Sequence, residues 1–149
     1  MTEFSQLGLS ASTLKAVADT GYTTATPIQE QAIPVALAGR DVLGIAQTGT
    51  GKTAAFTLPM IDRLSAGRAR ARMPRALVLA PTRELADQVA SSFEKYAKGT
   101  RLSWALLIGG VSMGDQVAAL DRGVDVLIAT PGRLLDLFDR SKILLTGVQ

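Results

Sequence analysis

The sequence has no cysteine and no histidine among its 149 residues. Their absence excludes disulfides, thiolate nucleophiles, zinc fingers and catalytic centres built on Ser–His or Cys–His pairs. No apolar run reaches the roughly 18 residues that span a bilayer, and the first residues do not have the pattern of a signal peptide. We therefore expect a cytoplasmic protein without a membrane segment, whose chemistry comes from carboxylates, lysine, arginine, hydroxyls, backbone amides or a hard cation.

Charge and aromatic content are also low, because charged residues make up 19% and aromatic residues 5% of the chain. The formal net charge is only +3, which is a weak sign of an anionic partner. Five arginines lie close together with no acidic residue after Asp62, and charge runs of this kind usually form a solvated loop. These arginines are Arg63, Arg68, Arg70, Arg72 and Arg75.

Short apolar runs that alternate with amphipathic helices predict the fold class. Two helices are expected first, over residues 10–20 and 26–39. The second has Thr26 as N-cap and Pro27 in its first turn, and Gln29 completes a capping box with Thr26. The four predicted strands that follow are Val42–Ala46, Ala76–Ala80, Leu102–Ile108 and Val124–Ala129. Because such strands separated by helices are typical of a mostly parallel sheet covered on both faces, we predict an α/β fold.

Each predicted strand is followed by a turn that contains glycine or proline and then by a helix. The four turns cover residues 46–53, 80–84, 108–111 and 129–133. In a parallel sheet all strand-to-helix turns lie at one edge, where open α/β sheets bind their ligands. We therefore expect these four turns to line one edge of the sheet.

The first of these turns has the pattern of a phosphate-binding P-loop, with alanine in place of the usual first glycine. Its residues are Ala46, Gln47, Thr48, Gly49, Thr50, Gly51, Lys52 and Thr53. Glycines let the backbone N–H groups converge on phosphate oxygens at the start of a helix. Lys52 would reach the β- and γ-phosphates, and the Thr53 hydroxyl would coordinate Mg²⁺. The sequence therefore predicts a nucleoside-triphosphate site.

With four further motifs in order, the chain resembles the N-terminal RecA-like domain of DEAD-box RNA helicases over residues 4–133. Residues 46–53 match motif I of that family, including the initial alanine. Residues 81–85 (Pro-Thr-Arg-Glu-Leu) resemble motif Ia, residues 109–110 the GG element and residues 130–133 (Thr-Pro-Gly-Arg) motif Ib. Residues 21–29 look like the Q motif, with Phe4 as its upstream aromatic residue. The alanine and arginine content, with only five lysines, suggests a bacterial source.

The resemblance implies a RecA-like P-loop domain that binds ATP, Mg²⁺ and RNA. The residues implied for ATP are Phe4, Tyr22, Gln29 and the whole of Ala46–Thr53, with Lys52 and Thr53 also catalytic and Thr53 the metal ligand. The residues implied for RNA are Pro81, Thr82, Arg83, Gly109, Gly110, Thr130, Pro131, Gly132 and Arg133. Contacts to the RNA backbone carry no base information, so we expect single-stranded or duplex RNA bound without sequence preference.

Several of these residues also have a purely structural explanation. Gln29 has the geometry to pair with the adenine edge, but it can equally serve only in the capping box with Thr26, and the two roles are compatible. Phe4 is suited to stacking on adenine or to filling the core near the N-terminus. Ala25 stands where the family usually has proline, which leaves the entry into the second helix less rigid.

The two Thr/Arg turns are open to the same ambiguity. At a helix start after a strand, free N–H groups, the helix dipole and a guanidinium suit a phosphodiester. Proline and threonine are also ordinary residues at a helix start, so Thr82–Arg83 and Thr130–Arg133 taken singly are compatible with a structural role. Together with the GG element at the same edge, they predict a track for a nucleic-acid backbone.

A second carboxylate that would hold Mg²⁺ at a strand end is missing, because no predicted strand ends in one. The resemblance implies that the Asp-Glu-Ala-Asp strand, a Ser-Ala-Thr element and a second RecA-like domain lie beyond Gln149. We expect residues 1–149 to be the N-terminal portion of the first RecA-like domain, with a Q-motif region over residues 1–39 and a P-loop core over residues 40–149. Such a chain would lack significant ATP turnover and would expose unpaired strand edges that favour self-association.

Two alternative functions remain open at this stage. A DNA-directed superfamily 2 helicase or translocase would share motif I, although Phe4, Gln29 and residues 81–85 favour the DEAD-box group. A plain nucleotide-binding module would use its proline and glycine turns only for structure. The low aromatic content and the absence of interleaved basic and aromatic residues argue against an RRM or OB stacking platform.

Overall fold

A computed structural model describes residues 2–47, 51–65, 73–109 and 112–149. The chain divides into two compact units, the first made of Met1–Ser65 with Ser92–Arg101 and the second of Ala66–Ser91 with Leu102–Gln149. No helix in the described part is long and apolar enough to cross a membrane.

The first unit is helical. It contains a 3₁₀ helix at Phe4–Gln6 and the helices α1 (Ala11–Asp19), α2 (Pro27–Leu37) and α3 (Lys52–Leu64), together with the last turn of α4 (Arg83–Tyr96). The predicted capping box of α2 is confirmed, since Thr26 and Gln29 form it. At the start of α1, the Ser10 hydroxyl accepts a hydrogen bond from the Thr13 N–H.

Two sets of hydrogen bonds hold this unit together. The Asp62 carboxylate on α3 accepts from the Ser10 N–H at 3.0 Å and from the Thr13 hydroxyl at 2.7 Å, and so ties α1 to α3. Near the N-terminus, the Ala25 N–H donates to the Thr2 carbonyl at 2.9 Å and the Phe4 N–H donates to Thr23 at 3.0 Å. The segment that enters α2 is therefore tied to the N-terminal residues.

The second unit is built on a three-stranded parallel sheet. Its strands are β1 (Ala76–Leu79), β2 (Trp104–Leu107) and β3 (Val126–Ala129), in the order β1–β3–β2. The helices of this unit are the first part of α4, then α5 (Met113–Arg122) and α6 (Pro131–Asp139). All four residues of β3 are buried, as expected for a central strand that is covered on both faces. The predicted α/β class is confirmed.

One face of the sheet forms a continuous apolar core with α5 and α6. Leu107 and Leu127 pack there against Leu120 of α5 and against Leu134 and Leu137 of α6. Ile143, which follows α6, is fully buried in the same cluster. Burial of these side chains fixes α5 and α6 against the strands from which they start.

A buried carboxylate holds together the starts of all three strands. Asp125, which precedes β3, accepts from the Arg75 guanidinium at 3.3 Å and from the Ser103 N–H at 3.1 Å. Its carbonyl also accepts from the Arg75 and Ala76 N–H groups, and its own N–H donates to the Ser103 carbonyl. Arg75 precedes β1 and Ser103 precedes β2, so this one residue aligns the three strands at their amino ends.

The prediction of a strand over Val42–Ala46 is wrong. Residues 41–47 have no regular secondary structure, and Leu43 and Ile45 are 89% and 85% exposed. A strand needs a hydrogen-bonded neighbour, and every strand pairing in the described ranges joins β1, β2 and β3 to one another. The other three predicted strands exist but are shorter by one to three residues than their apolar runs.

The expectation that the arginine run is a solvated loop is wrong for Arg75. Arg75 is only 8% exposed and pairs with Asp125. Arg63 is exposed and lies on α3, where its guanidinium donates to the Ala36 carbonyl at 3.4 Å. The remaining three arginines, Arg68, Arg70 and Arg72, lie outside the described residues.

Replacement of the buried carboxylate tests its role in the sheet. We expect Asp125→Ala to lower the free energy of unfolding by about 3–5 kcal/mol, because it removes the carboxylate that pairs with the buried Arg75 cation and accepts from the Ser103 N–H. Urea unfolding followed by circular dichroism measures this change. The control is Asp87→Ala on the exposed surface of α4, for which we expect a change of about 0.5 kcal/mol or less. Equal losses from both substitutions would contradict the alignment role of Asp125.

Candidate functional site

The start of α3 carries the described part of the predicted P-loop. Gly51 is the N-cap residue in the left-handed conformation, with φ +84°, and Lys52 and Thr53 are the first two residues of the helix. Lys52 is exposed, Thr53 is half-buried, and the first turn of α3 contains no acidic residue. The partial positive charge of this helix end is therefore accompanied by a lysine and a hydroxyl, a donor set suited to phosphate. Ala46 is half-buried and Gln47 is exposed, while Thr48, Gly49 and Thr50 lie outside the described residues.

Gln29 connects the Q-motif segment to the P-loop. Its Oε1 accepts from the Thr26 N–H at 3.0 Å, and its Nε2 donates to the Gly51 carbonyl at 3.2 Å. The side chain is buried, with 6% exposure. The left-handed backbone angle of Gly51 favours glycine, and a Cβ added there would collide with the Gln29 amide, which would have to shift. The capping role of Gln29 is confirmed, and adenine recognition stays a prediction.

The two aromatic residues predicted for adenine differ in their surroundings. Phe4 is 5% exposed, so in this structure it serves the core, and its stacking on adenine stays a prediction. Tyr22 is 56% exposed. The pKa of the neighbouring Tyr96 is raised, first by burial and then by the charge of Tyr22, against an opposing hydrogen bond with Thr20. Tyr96 therefore stays uncharged at neutral pH.

Residues of three predicted turns line one cleft in the second unit, which we call the carboxyl-edge cleft. Its volume is about 560 Å³, and its lining residues are Pro81, Thr82, Arg83, Gly109, Thr130, Gly132, Arg133 and Asp136. Hydrogen bonds join the strand ends beneath it, from Ala80 N–H to the Ala129 carbonyl at 2.9 Å and from Thr130 N–H to the Leu107 carbonyl at 3.0 Å. The prediction that these turns share one edge of the sheet is confirmed for the three turns of this unit. Pro131 begins α6 but does not line the cleft, and Gly110 lies outside the described residues.

Two helices begin at the cleft, and their N-caps differ. The Thr82 hydroxyl accepts from the Leu85 N–H at 3.3 Å and so caps α4. Thr130 occupies the N-cap position of α6, but its hydroxyl accepts no capping hydrogen bond from that helix. The predicted N-cap position of Thr130 is thus confirmed, although its side chain makes no capping hydrogen bond. Arg83 is exposed and Arg133 is half-buried, so two cations lie beside two helix N-termini.

Two polar residues of this region were not predicted from the sequence. Asp136 lines the cleft, and the Arg140 guanidinium donates to its carboxylate at 2.9 Å. The pKa of Arg140 is raised, first by this hydrogen bond and then by the negative charge of Asp136. The second residue is Gln116 on α5, whose Oε1 accepts a hydrogen bond from the Arg133 guanidinium at 3.0 Å. The sequence contained a signal for Gln116, because this polar residue lies on the same helix face as the apolar residues Met113, Val117 and Leu120.

Comparison with known proteins identifies the family. The model of the family described as DEAD/DEAH box helicase matches residues 26–149. The chain belongs to the DEAD/DEAH box helicase family. The resemblance seen in the sequence is thereby confirmed, although Phe4 and Tyr22 lie before the matched range.

Curated relatives and solved structures agree with this assignment. The chain is 45% identical to the DEAD-box ATP-dependent RNA helicase 52A of Oryza sativa subsp. japonica, over 98% of this chain and 26% of that protein. It is 48% identical to the ATP-dependent RNA helicase DeaD of Haemophilus influenzae, over 98% of this chain and 24% of that protein. The chain thus spans about a quarter of the length of these helicases.

Among solved structures, the ADP-bound RNA helicase Prp28 of Chaetomium thermophilum superposes with a TM-score of 0.91. It is 40% identical, over 99% of this chain and 37% of that chain. A DEAD box protein of Methanococcus jannaschii has a TM-score of 0.89 and 34% identity, over 100% of this chain and 40% of that chain. The α/β architecture is therefore that of the helicase family.

Adding one methyl group at Gly51 tests the close contact between this residue and the Gln29 amide. We expect Gly51→Ala to destabilise the protein by more than the roughly 1–2 kcal/mol of left-handed backbone strain alone, because the new methyl group also displaces the Gln29 amide. The melting temperature measures the loss. Gly21→Ala is the matched control, since Gly21 also has a left-handed φ, +89°, but a Cβ there meets no atom within 4 Å. A Gly51 variant as stable as the control would show that the contact with Gln29 is not required.

Proposed function

We propose that this protein is the ATP- and RNA-binding portion of an ATP-dependent RNA helicase. The observation that carries the proposal is the convergence of residues from three strand ends on the carboxyl-edge cleft. Thr82, Arg83 and Arg133 bring hydroxyl and guanidinium groups to two helix N-termini there, which is a combination suited to successive phosphates of a nucleic-acid backbone. The names of the relatives support RNA as the partner.

The nucleotide site that we propose lies at the start of α3. Lys52 would hold the β- and γ-phosphates, and the loop Ala46–Thr53 would surround them with backbone N–H groups. Gln29, with Phe4 and Tyr22, would contact the adenine. The donor set fits an anion, because a lysine, a hydroxyl and a helix N-terminus meet there without an acidic residue in the first turn.

We also propose Mg²⁺ as the metal of this site. The Thr53 hydroxyl is a hard oxygen ligand at the start of α3, as Mg²⁺ prefers, and phosphate oxygens would supply further ligands. Within the described ranges no cluster of three or more acidic side chains could hold a metal by itself. The metal would therefore bind together with the nucleotide.

The domain organisation that we propose makes residues 1–149 the N-terminal portion of a first RecA-like domain, with a second such domain in the parent protein. Its Q-motif region covers residues 1–39 and its P-loop core covers residues 40–149. We expect the chain alone to have negligible steady-state ATP turnover, since no described strand ends in the carboxylate that a P-loop ATPase uses for Mg²⁺. A turnover number close to that of a full-length helicase would contradict this.

Two further properties are part of the proposal. We expect self-association, because the side chains of Leu43, Ile45 and Leu79 are exposed and the outer sides of β1 and β2 form the edges of the sheet. A purely monomeric sedimentation profile would contradict this.

We place the parent enzyme in the cytoplasm, on the grounds that a bacterial helicase meets its RNA there. Fractionation of cells that express a tagged parent protein tests this location.

Nucleotide binding is tested by thermal unfolding with ADP and Mg²⁺, against GDP and Mg²⁺. We expect ADP to stabilise the chain by about 2.7 kcal/mol at a hundred times its dissociation constant, because the ligand binds only the folded state. GDP should give a smaller shift if Gln29 recognises adenine. Equal shifts with the two nucleotides would reject adenine recognition, and no shift with either would reject the P-loop site.

RNA binding is tested by removing one guanidinium at a time from the cleft. We expect Arg83→Ala and Arg133→Ala each to weaken binding of a labelled polyuridine oligonucleotide by about fivefold to tenfold, and equally for polyadenosine, because phosphate contacts are independent of sequence. Fluorescence anisotropy at low salt measures the affinity. Arg122→Ala is the control, since this exposed arginine lies in the last turn of α5, away from the cleft.

Two results would favour the alternative functions. Unchanged RNA affinity in both cleft variants would support a nucleotide-binding module whose turns are only structural. Tighter binding of the matching deoxyoligonucleotide than of RNA would support a helicase or translocase that acts on DNA.

A further inference from the structure

Gln116 is a buried amide whose two ends bind different parts of the cleft. It lies near the start of α5 and is 5% exposed. Its Nε2 donates to the Ile108 carbonyl at 3.1 Å, and its Oε1 accepts from the Arg133 guanidinium at 3.0 Å. Ile108 directly precedes Gly109, which lines the cleft, as Arg133 does.

Only an amide satisfies both partners. A carbonyl oxygen requires a donor and a guanidinium requires an acceptor, and among side chains of this length glutamine supplies both without a charge. Glutamate would present an acceptor to the Ile108 carbonyl, and methionine would leave both partners without their hydrogen bond. The bond to Ile108 is buried and the bond to Arg133 is partly buried, so water replaces the first less readily than the second.

The bond to Gln116 also limits the freedom of Arg133. An arginine side chain has many rotamers, and ordering it on a phosphate reduces affinity unless it is already held in place. Arg83, on the other side of the cleft, is exposed. The two arginines of the cleft therefore differ in how far they are pre-organised.

We propose that Gln116 is a positioning residue for RNA binding, which holds the Arg133 guanidinium at the carboxyl-edge cleft and links it to the turn at Gly109. The proposal rests on the proposed RNA-binding function of the cleft. Gln116 itself acts through Arg133 and makes no contact with RNA. Its loss should therefore matter only while Arg133 is present.

The test measures RNA affinity in two double-mutant cycles. We expect Gln116→Met to weaken binding of labelled polyuridine by about threefold to tenfold, as for the loss of one hydrogen bond. The same substitution should change the affinity by less than about twofold in an Arg133→Ala background and keep its full effect in an Arg83→Ala background. Gln116→Met and Arg133→Ala should also reduce the slope of log affinity against log salt, each by up to about 0.7.

Two controls separate positioning from a loss of folding. Gln88→Met, on the exposed surface of α4, makes the same chemical change away from the cleft and should leave RNA affinity unchanged. The melting temperature is measured for every variant. If Gln116→Met does not fold, Gln116→Asn replaces it, since the shorter amide cannot span both partners and should weaken binding in the same background-dependent way.

Each result has a definite meaning. Loss of affinity that disappears only in the Arg133→Ala background supports the positioning role. An equal loss in all three backgrounds, or no loss beside a clear effect of Arg133→Ala, overturns the role of Gln116 and leaves the RNA function of the cleft standing. No effect of Arg133→Ala itself overturns the RNA function of that residue and the inference with it.

Discussion

The buried carboxylate of Asp125 is the constraint on which the sheet of the second unit depends. It receives hydrogen bonds from the residues that precede β1 and β2, while its own backbone starts β3. Parallel strands aligned at their amino ends and equal in length also end together, so Ala129 lies level with Leu79 and Leu107. The turns that follow therefore emerge side by side and enclose the cleft. A structural ion pair at one edge of the sheet thus determines the geometry of a binding surface at the other.

Much of this architecture could be predicted from the sequence, because it follows from local patterns. Capping residues and apolar periodicity predicted the helices α1 and α2 close to their observed bounds. The shared position of three turns followed from parallel strand direction alone and needed no knowledge of contacts. The P-loop was evident from its glycines, Lys52 and Thr53, since their order in the chain is itself the signal.

What the sequence did not reveal depends on partners far apart in the chain. The apolar run Val42–Ala46 has strand composition, but composition does not supply a neighbouring strand. Arg75 stands in a run of exposed-looking arginines, and its partner Asp125 is fifty residues away. Gln116 occupies a core position of α5, yet nothing local indicates that Ile108 and Arg133 would meet there. The lack of a side-chain capping hydrogen bond from Thr130 could likewise not be inferred from its N-cap position.

The hydrogen bond between the Ala25 N–H and the Thr2 carbonyl has an evolutionary consequence. Proline, which the family usually has at this position, has no N–H and could not form that bond. Alanine and proline codons differ in a single base, so the exchange is one mutational step in either direction. Here the step to proline would gain a fixed backbone angle at the entry to α2 but lose one of the hydrogen bonds that tie this segment to the N-terminal residues, while the bond from the Phe4 N–H to the Thr23 carbonyl would remain. Because the acceptor is the backbone carbonyl of Thr2, which any residue at that position supplies, the choice between alanine and proline at position 25 does not depend on the side chain at position 2.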